Sequence, residues 1–243
     1  MMKTDTCFGI IRLHKNILHK NAFTLAEVLI TLGIIGIVAA MTLPAIIHQQ
    51  NTKKLEVALQ KNYSIIQQVL QRMELDRGET PKSSNFEYLE FAPEFLKYFN
   101  YVNKCSEGNE NCASKTEDEN DSSNTTLIKE YKTYNKSRNV STTYFDDGKF
   151  RTLNEFYMIE NQNPNLLIIT VDINGILKKT NLWGHDLFSF QLLQNGKLVP
   201  AGTPGTNFAN KNTYCSATST NALNGLGCTY YALTDKNYWK NLP

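Results

Sequence analysis

The sequence predicts an α+β protein in which one long N-terminal helix packs on an antiparallel sheet of about four strands. Three observations predict this fold class. The uncharged apolar segment 28–47 is followed by apolar residues at helical spacing up to residue 77. Apolar runs separated by Asx-Gly dipeptides occupy residues 142–200. The apolar face of such a sheet needs a cover, which the amphipathic part of the helix supplies.

The start of the chain has the charge pattern of a membrane anchor. Residues 1–22 carry four of the 25 basic and one of the 23 acidic side chains, which leaves 21 basic and 22 acidic ones, a net charge of −1. The apolar segment that follows is long enough to span most of a bilayer core of ~30 Å at about 1.5 Å per residue. The basic leader predicts a cytoplasmic N-terminus. The nearly neutral rest of the chain has no charge pattern for nucleic-acid binding.

A single helix is predicted over residues 23–77. Beyond Pro44 its second half is amphipathic, with polar side chains on the outer faces. The stripe that should be buried consists of Leu55, Leu59, Asn62, Ile66, Val69 and Met73. Gly78 and Pro81 mark the end of the helix. Pro44 is expected to bend it, since proline lacks a backbone N–H and clashes with the preceding turn.

The rest of the chain contains a packed region, a polar loop and a sheet. Residues 86–102 are rich in aromatic side chains, and residues 106–124 are acidic with almost no large apolar side chain, which predicts a solvated loop. Strands are predicted at residues 143–145, 156–159, 166–171 and 187–192. Hairpin turns are predicted at the dipeptides Asp147-Gly148, Asn174-Gly175 and Asn195-Gly196.

The cysteines indicate an oxidising compartment. Cys7 lies in the leader, and the other four are Cys105, Cys112, Cys215 and Cys228. Their short spacings favour two local disulfides, Cys105 with Cys112 and Cys215 with Cys228, among the three sets of pairs that four cysteines allow. The alternative is a zinc site, which would lack a Cys-x2-Cys pair. The tail from residue 201 has too little apolar material for its own core, and the second disulfide would hold it against the sheet.

Glu27 is an unusual residue because it lies at the head of the apolar segment. An ionised carboxylate at the edge of a membrane-spanning segment costs at least ~2.5 kcal/mol by insertion scales unless a partner neutralises it. We therefore expect Glu27 to have a partner.

Residues 21–50 resemble the type IV prepilin signature shared by pilins and type II secretion pseudopilins. The resemblance is carried by the basic leader, the small residue Ala22, the sequence Phe-Thr-Leu-Ala-Glu at residues 23–27, and a long apolar helix with Pro44 at its usual place. The order of long helix, variable loop, antiparallel sheet and disulfide-closed C-terminus is also pilin-like. Residues 171–188 resemble, less specifically, a segment that recurs in bacterial pilin-like proteins. The family usually has glycine at the position of Ala22.

The resemblance implies that a prepilin peptidase cuts between Ala22 and Phe23 and that the new amine of Phe23 is N-methylated. The methylated amine stays cationic. In a staggered bundle of identical helices, the Phe23 ammonium of one subunit can lie beside Glu27 of its neighbour, which neutralises both charges and fixes the stagger. Glu27 would then be an assembly residue, comparable to the single buried polar residue that fixes the register of a coiled coil.

These observations divide the chain into six parts. They are a removed leader at 1–22, a transmembrane half-helix at 23–47, an amphipathic half-helix at 48–78, a variable region at 79–141, the sheet at 142–200 and a disulfide-stapled segment at 201–243. The predicted function is a structural subunit of a type II secretion pseudopilus or type IV pilus. The alternative is a signal-anchored extracytoplasmic domain that binds a ligand or catalyses a reaction without polymerising.

The expected location is the inner membrane, with a single span and an extracytoplasmic C-terminal domain, and the filament after assembly. The expected partners are the prepilin peptidase, other copies or related pilin subunits, and the inner-membrane assembly platform; no direct contact with nucleic acid is expected.

The sequence contains no Gly-x-Ser-x-Gly, phosphate-binding loop or His-Glu-x-x-His motif, so neither an enzyme nor a cofactor is expected. Asp172, Asn174 and Asp186 are candidate oxygen ligands for calcium, which some pseudopilins bind. The competing interpretation is a simple turn, because the Asp side chain in an Asp-x-Asn-Gly sequence usually bonds to nearby backbone.

Overall fold

The computed structural model describes residues 24–100 except 88, residues 103–104, and residues 131–242 except 142, 143, 146, 163, 177 and 179. The chain divides into two compact units, Met1–Ile46 and Ile47–Pro243. The described helices are α1 (Leu25–Arg77), α2 (Phe91–Leu96), α3 (Lys211–Tyr214) and α4 (Cys228–Thr234), with 3-10 helices at Ser83–Asn85 and Tyr238–Lys240. The predicted α+β fold, a long N-terminal helix followed by an antiparallel sheet, is confirmed.

Helix α1 follows the sequence prediction closely. It begins at Leu25, ends at Arg77, and continues through Pro44. The bend expected at Pro44 stays a prediction. Gly78 follows the last helical residue with φ of +69°, and its N–H donates to the carbonyl of Glu74 at 2.9 Å. A residue of left-handed conformation at this place satisfies the last carbonyls of a helix, and glycine adopts that conformation without steric cost.

Within the described residues the sheet is a meander of six antiparallel strands, in which each strand pairs with the next one along the chain. The strands are β1 (Asn103–Lys104), β2 (Gly148–Arg151), β3 (Phe156–Gln162), β4 (Leu166–Asp172), β5 (Leu187–Leu192) and β6 (Leu198–Pro200). The predicted strands near residues 156, 166 and 187 are therefore confirmed, whereas the number of strands was underestimated because β1 and β6 are short edge strands.

The strand and turn predicted around Asp147-Gly148 are wrong. Residues 144 and 145 lie outside the strands, and Gly148 opens β2 instead of forming a turn. The hairpin turn between β2 and β3 lies at residues 152–155. Glycine occupies position 148 for a packing reason, because a Cβ atom there would overlap the Cβ of Ala92 in helix α2.

The other two Asx-Gly dipeptides do form turns, with different consequences. Asn195-Gly196 lies in the hairpin between β5 and β6, and Gly196 has φ of +79°. Asn174-Gly175 was predicted as a hairpin turn between the strands now seen as β4 and β5, and the turn is present, but it does not join the two strands directly. It begins a long connection, residues 173–186, in which Gly175 has φ of +83°.

Both faces of the sheet are buried. The face toward α1 packs on its second half, and its core includes Leu59, Ile66, Met73, Tyr157, Ile169 and Phe190. The opposite face has a second core that includes Tyr131, Phe145, Met158, Ile168, Trp183 and Phe208. Alternate residues of β4 point to the two cores, which explains why the strand is apolar throughout. The sequence prediction covered only the helix-facing side.

A fully buried polar contact is among those that join helix α1 to the sheet. Asn62, in the buried stripe of α1, is fully buried and its Nδ2 donates to the carbonyl of Ala58 at 2.9 Å. Its Oδ1 accepts from the hydroxyl of Tyr157 on β3 at 2.5 Å. The ring of Tyr157 stacks on Phe150 with ring centroids 4.8 Å apart. The buried amide is therefore satisfied and fixes α1 to the sheet at one point.

Candidate assembly segment and buried acidic loop

The N-terminal turn of α1 contains a capping box formed by Thr24 and Glu27. The backbone N–H of Thr24 donates to Oε2 of Glu27 at 2.8 Å, and the Thr24 hydroxyl donates to the same oxygen at 2.9 Å. In return, the Glu27 N–H donates to the Thr24 hydroxyl oxygen at 3.2 Å. A Thr-x-x-Glu sequence at a helix start forms this reciprocal pair because the first N–H groups of a helix have no internal acceptor.

Glu27 thus has a partner within its own chain, which sequence reasoning missed. Both donated bonds reach Oε2, and Oε1 accepts no bond from the residues that the structure describes. The signal for this partner is the Thr-x-x-Glu spacing of Thr24 and Glu27, which is typical of a capping box. Ala22 and Phe23 lie outside the described residues, so the cleavage, the methylation and the pairing of the Phe23 ammonium with Glu27 stay predictions.

The apolar segment behind this capping box is fully exposed. Every residue from 24 to 51 is exposed, and large apolar side chains such as Leu25 and Met41 keep 77% and 76% of their accessible surface. Helix α1 is long and apolar enough to cross a membrane. A Cβ atom at Gly33 or Gly36 would meet nothing within 4 Å. Such a surface requires lipid or neighbouring helices to cover it.

Asp172 ends strand β4 and holds the start of the long connection. Its Oδ1 accepts the backbone N–H groups of Asn174 at 3.2 Å and Gly175 at 2.9 Å. Its Oδ2 accepts from the hydroxyl of Tyr131 at 2.5 Å. The interpretation of Asp172 as the side chain that closes a turn is therefore confirmed.

Asp186 holds the end of the same connection. Its Oδ1 accepts the N–H of Leu182 at 2.7 Å, and its Oδ2 accepts the N–H of Asn181 at 2.9 Å. The Nδ2 of Asn174 approaches Oδ2 at 3.4 Å. The structure therefore brings together the three residues that the sequence singled out, Asp172, Asn174 and Asp186, and links them through Asn174.

The two carboxyl groups are fully buried, which makes them hard to ionise. Burial and, to a smaller extent, the charge of Asp186 raise the pKa of Asp172 from 3.8 to about 7, against the bonds from Tyr131, Asn174 and Gly175. Burial also raises the pKa of Asp186 to about 6, against bonds from Leu182, Asn181 and Asn174. Two nearby buried carboxyl groups titrate as a pair, so ionising one disfavours ionising the other.

Calcium binding at this loop stays a prediction. In the part of the chain that the structure describes, no group of three or more His, Cys, Asp or Glu side chains is placed to hold a metal ion. Two amide oxygens are further candidate ligands beside the carboxylates of Asp172 and Asp186. Oδ1 of Asn174 and Oδ1 of Asn181 are buried and lack a hydrogen-bond partner among the described residues. Carboxylate and amide oxygens are the ligands that calcium prefers.

The C-terminal disulfide is formed as predicted. Cys215 and Cys228 are bonded, with their Cα atoms 4.9 Å apart. Cys228 begins helix α4, which packs against β5, and the side chain of Cys228 is fully buried. The predicted pairing of Cys105 with Cys112 lies outside the described residues.

Two residues of the buried loop were missed by sequence reasoning. Tyr131 lies in the region predicted as a variable connection, 41 residues from its partner Asp172, and no local pattern links them. Asn181 was noted in the sequence only as part of a recurrent segment, although its N–H donates to Oδ2 of Asp186 and its φ of +43° is rare for a non-glycine residue.

Comparison with known proteins finds one similarity, at the N-terminus. Residues 18–43 match the family model of the prokaryotic N-terminal methylation motif, the prepilin-type signature of type IV pilins and pseudopilins. No curated protein and no solved structure matches the chain. The motif implies processing by prepilin peptidase and assembly with other pilin subunits in membrane-associated machinery. With the apolar helix, it indicates a pilin-like precursor anchored by one N-terminal helix, and a structural subunit rather than an enzyme.

Proposed function

We propose that this chain is a structural subunit of a type II secretion pseudopilus or a type IV pilus. The mature protein would wait in the inner membrane with its C-terminal domain outside the cytoplasm, and the assembly platform would then move it into a helical filament. The observation that carries the proposal is the methylation motif at the head of a helix whose first half is apolar and exposed.

The capping box suggests how Glu27 serves both states. In the single chain its Oε2 accepts from Thr24, while Oε1 has no donor among the described residues. In the filament the carboxylate would accept the methylated ammonium of Phe23 from a neighbouring subunit. Because the two partners use one side chain, assembly needs only a local exchange of hydrogen bonds at the start of α1, and the charge pair then fixes the stagger.

The N-terminus of the mature protein tests the proposed cleavage and methylation. In a host that has prepilin peptidase, mass spectrometry should find a chain that begins at N-methylated Phe23. The Ala22→Gly variant, which restores the residue usual in the family, should be processed at least as completely. A chain that still begins at Met1 in that host would support the non-polymerising alternative, a signal-anchored domain.

Two substitutions at Glu27 separate its two roles. Glutamine supports a capping box as glutamate does, but it carries no charge. We expect Glu27→Gln and Glu27→Ala to enter the membrane at the wild-type level and both to be absent from sheared filaments. The matched control is Glu94→Gln, which changes an acid in α2. Normal assembly of Glu27→Gln would show that capping alone suffices and would refute the charge pairing.

Calcium at Asp172, Asn174 and Asp186 is a separate proposal. It is supported by the two buried carboxyl groups with raised pKa and by the unpartnered Oδ1 atoms of Asn174 and Asn181. A divalent cation there would neutralise the carboxylates and supply the missing partner of the amide oxygens. Isothermal titration with calcium should give heat of binding in the wild type and none in Asp186→Asn; no heat in the wild type rejects the proposal.

A further inference from the structure

A cavity lies at the start of the water-facing half of α1. Its volume is 540 Å³, and its walls come from residues 48–56 of α1 and from residues 236–240 near the C-terminus. All of these residues belong to the second compact unit. The indole of Trp239 forms an apolar wall, held in place by a bond from its Nε1 to the carbonyl of Ala232 at 2.8 Å and by contact with Phe188.

The cavity has an excess of positive charge. Lys53, Lys236 and Lys240 line it, and all three side chains are exposed. The single carboxylate in the wall, Glu56, is already paired with Lys53 at 2.9 Å. Lys236 and Lys240 form no ion pair with any residue that the structure describes. The remaining charge is therefore suited to an anion, although the chain beyond its leader is close to neutral overall.

The position of the cavity along the chain indicates which anion is available. His48, in its wall, directly follows Ile47, the last residue of the uncharged segment 28–47. At about 1.5 Å per helical residue, Lys53 lies within roughly 10 Å of the end of that segment along the helix. The polar headgroup layer covers most of this distance, since it extends about 5–8 Å beyond the hydrocarbon core on each side.

We propose that this cavity binds the phosphate group of an anionic phospholipid of the membrane that anchors the chain. Lys236 and Lys240 would donate to the phosphate oxygens, and the indole of Trp239, which is buried, would form the apolar base of the site. The site would hold the C-terminal segment on the membrane surface before assembly. The inference depends on membrane anchoring of α1 and is independent of filament formation.

Hydrogen exchange of the full-length protein tests the proposal, with one chain per nanodisc. One set of discs contains phosphatidylcholine alone, and the other contains phosphatidylcholine with phosphatidylglycerol. Each lysine near an anionic surface contributes about a fivefold preference. We expect phosphatidylglycerol to slow amide exchange at residues 235–241 at least fivefold. The slowing should disappear in Lys236→Gln/Lys240→Gln and persist in the control Lys178→Gln/Lys197→Gln, which changes two exposed lysines elsewhere.

Four results would overturn the proposal. Equal amide exchange at residues 235–241 in the two kinds of disc would show that the protein does not bind the anionic headgroup. Slowing that persists in Lys236→Gln/Lys240→Gln would place the contact elsewhere. Slowing in phosphatidylcholine discs with added inorganic phosphate would assign the site to free phosphate. Slowing only with two chains per disc would assign the cavity to a second copy. Because single-chain discs contain no filament, none of these results depends on whether the protein assembles.

Discussion

At the residue scale, Glu27 shows why a carboxylate can stand at the head of an apolar segment. The expected cost of an isolated charge assumed that nothing nearby could hydrogen-bond to it. The free N–H groups at the start of α1 and the Thr24 hydroxyl provide donors in the chain itself, and the positive end of the helix dipole favours an anion there. The site is therefore compatible with a single subunit, and in the proposed assembly a charge partner would be added to a group that is already hydrogen-bonded within its own helix.

Loss of the Thr24 hydroxyl should weaken the helix start and leave assembly intact. In Thr24→Val the Glu27 carboxylate keeps its charge but loses one donor and its reciprocal acceptor, a change worth about 1 kcal/mol. We expect faster amide exchange at residues 25–28 in detergent and normal incorporation into filaments. Loss of incorporation would mean that the capping geometry itself is required.

The buried pair Asn62 and Tyr157 gives a second test at this scale. Tyr157→Phe leaves the Asn62 Oδ1 buried without a partner, which should lower the free energy of unfolding by about 1–3 kcal/mol. Tyr157→Phe combined with Asn62→Leu removes both polar groups, so the second substitution should cost less in the Tyr157→Phe background than alone. Urea denaturation in detergent measures the cycle.

The control for this cycle is Tyr230→Phe, since the Tyr230 hydroxyl makes no hydrogen bond to the residues that the structure describes. Its free energy of unfolding should stay within about 0.5 kcal/mol of the wild type. Additive effects of the substitutions at positions 62 and 157 would contradict the coupling.

At the scale of elements, the connection between β4 and β5 is held by carboxyl groups at both of its ends. Asp172 caps the turn that begins it, and Asp186 caps the backbone of Asn181 and Leu182 at its end. Because the two side chains are buried, ionising them is costly, and we expect the stability of this loop to depend on their protonation.

The acid pair should make the folded protein less stable as the pH rises from about 4 to about 7. The folded pKa values of Asp172 and Asp186, about 7 and about 6, lie above the ordinary value of 3.8. The folded state therefore binds more protons in this range, and the stabilisation present below pH 4 is lost as the pH rises through the folded pKa values. The free energy of unfolding should fall by a few kcal/mol at most, on the order expected for such shifts.

Urea denaturation in EDTA at a series of pH values measures this fall. His185 titrates in the opposite sense, because burial lowers its pKa to about 4, so the test is the difference between the wild type and Asp172→Asn. The free energy of unfolding of the wild type, relative to that of Asp172→Asn, should decrease steadily as the pH rises above 4. The control Asp235→Asn, at an exposed carboxylate, should show no such trend. A pH-independent difference for Asp172→Asn would contradict the prediction.

The disulfide between Cys215 and Cys228 should contribute to stability mainly by restricting the unfolded C-terminal segment. A closed loop of this size contributes about 3 kcal/mol in the chain-entropy description. Cys215→Ser/Cys228→Ser should therefore lower the urea midpoint and expose residues 208–228 to proteolysis. The wild type treated with a reducing agent serves as the comparison and should show the same lower midpoint as the double variant. An unchanged midpoint in both samples would contradict a stabilising role of the disulfide.

The sequence predicted long periodic elements well and contacts between distant residues poorly. Helix α1 and the strands near residues 156, 166 and 187 follow from periodicity, which is a local property. Gly148 was mistaken for a turn residue, because the reason for its glycine is a close approach of Ala92, 56 positions away. The second core was missed for the same reason, since Tyr131 and Trp183 reach the sheet from regions without strand periodicity.

At the scale of the whole molecule, two parts of the chain have separate physical requirements. Residues 24–51 are exposed throughout and need lipid or other helices as their environment. The buried side chains of α1 begin at Thr52, and those from Leu59 to Met73 join the core of the sheet. One continuous helix thus carries an exposed apolar segment and a segment that packs on the sheet, and the packing of the sheet uses no described residue before Thr52.

The separation predicts that a chain of residues 48–243 folds without the membrane segment. Its core keeps every buried side chain of α1, while residues 24–47, the described part of the removed segment, contribute only exposed surface. We expect a monomer by light scattering in water, with the near-ultraviolet circular dichroism of buried Trp183 and Trp239 and an unfolding midpoint close to that of the full chain in detergent. Aggregation, or loss of the aromatic signal, would show that residues 24–47 help to form the domain. The same fragment should be absent from filaments made by the full-length chain, because it lacks both the apolar segment and Glu27, and its incorporation would refute assembly through the N-terminal helix.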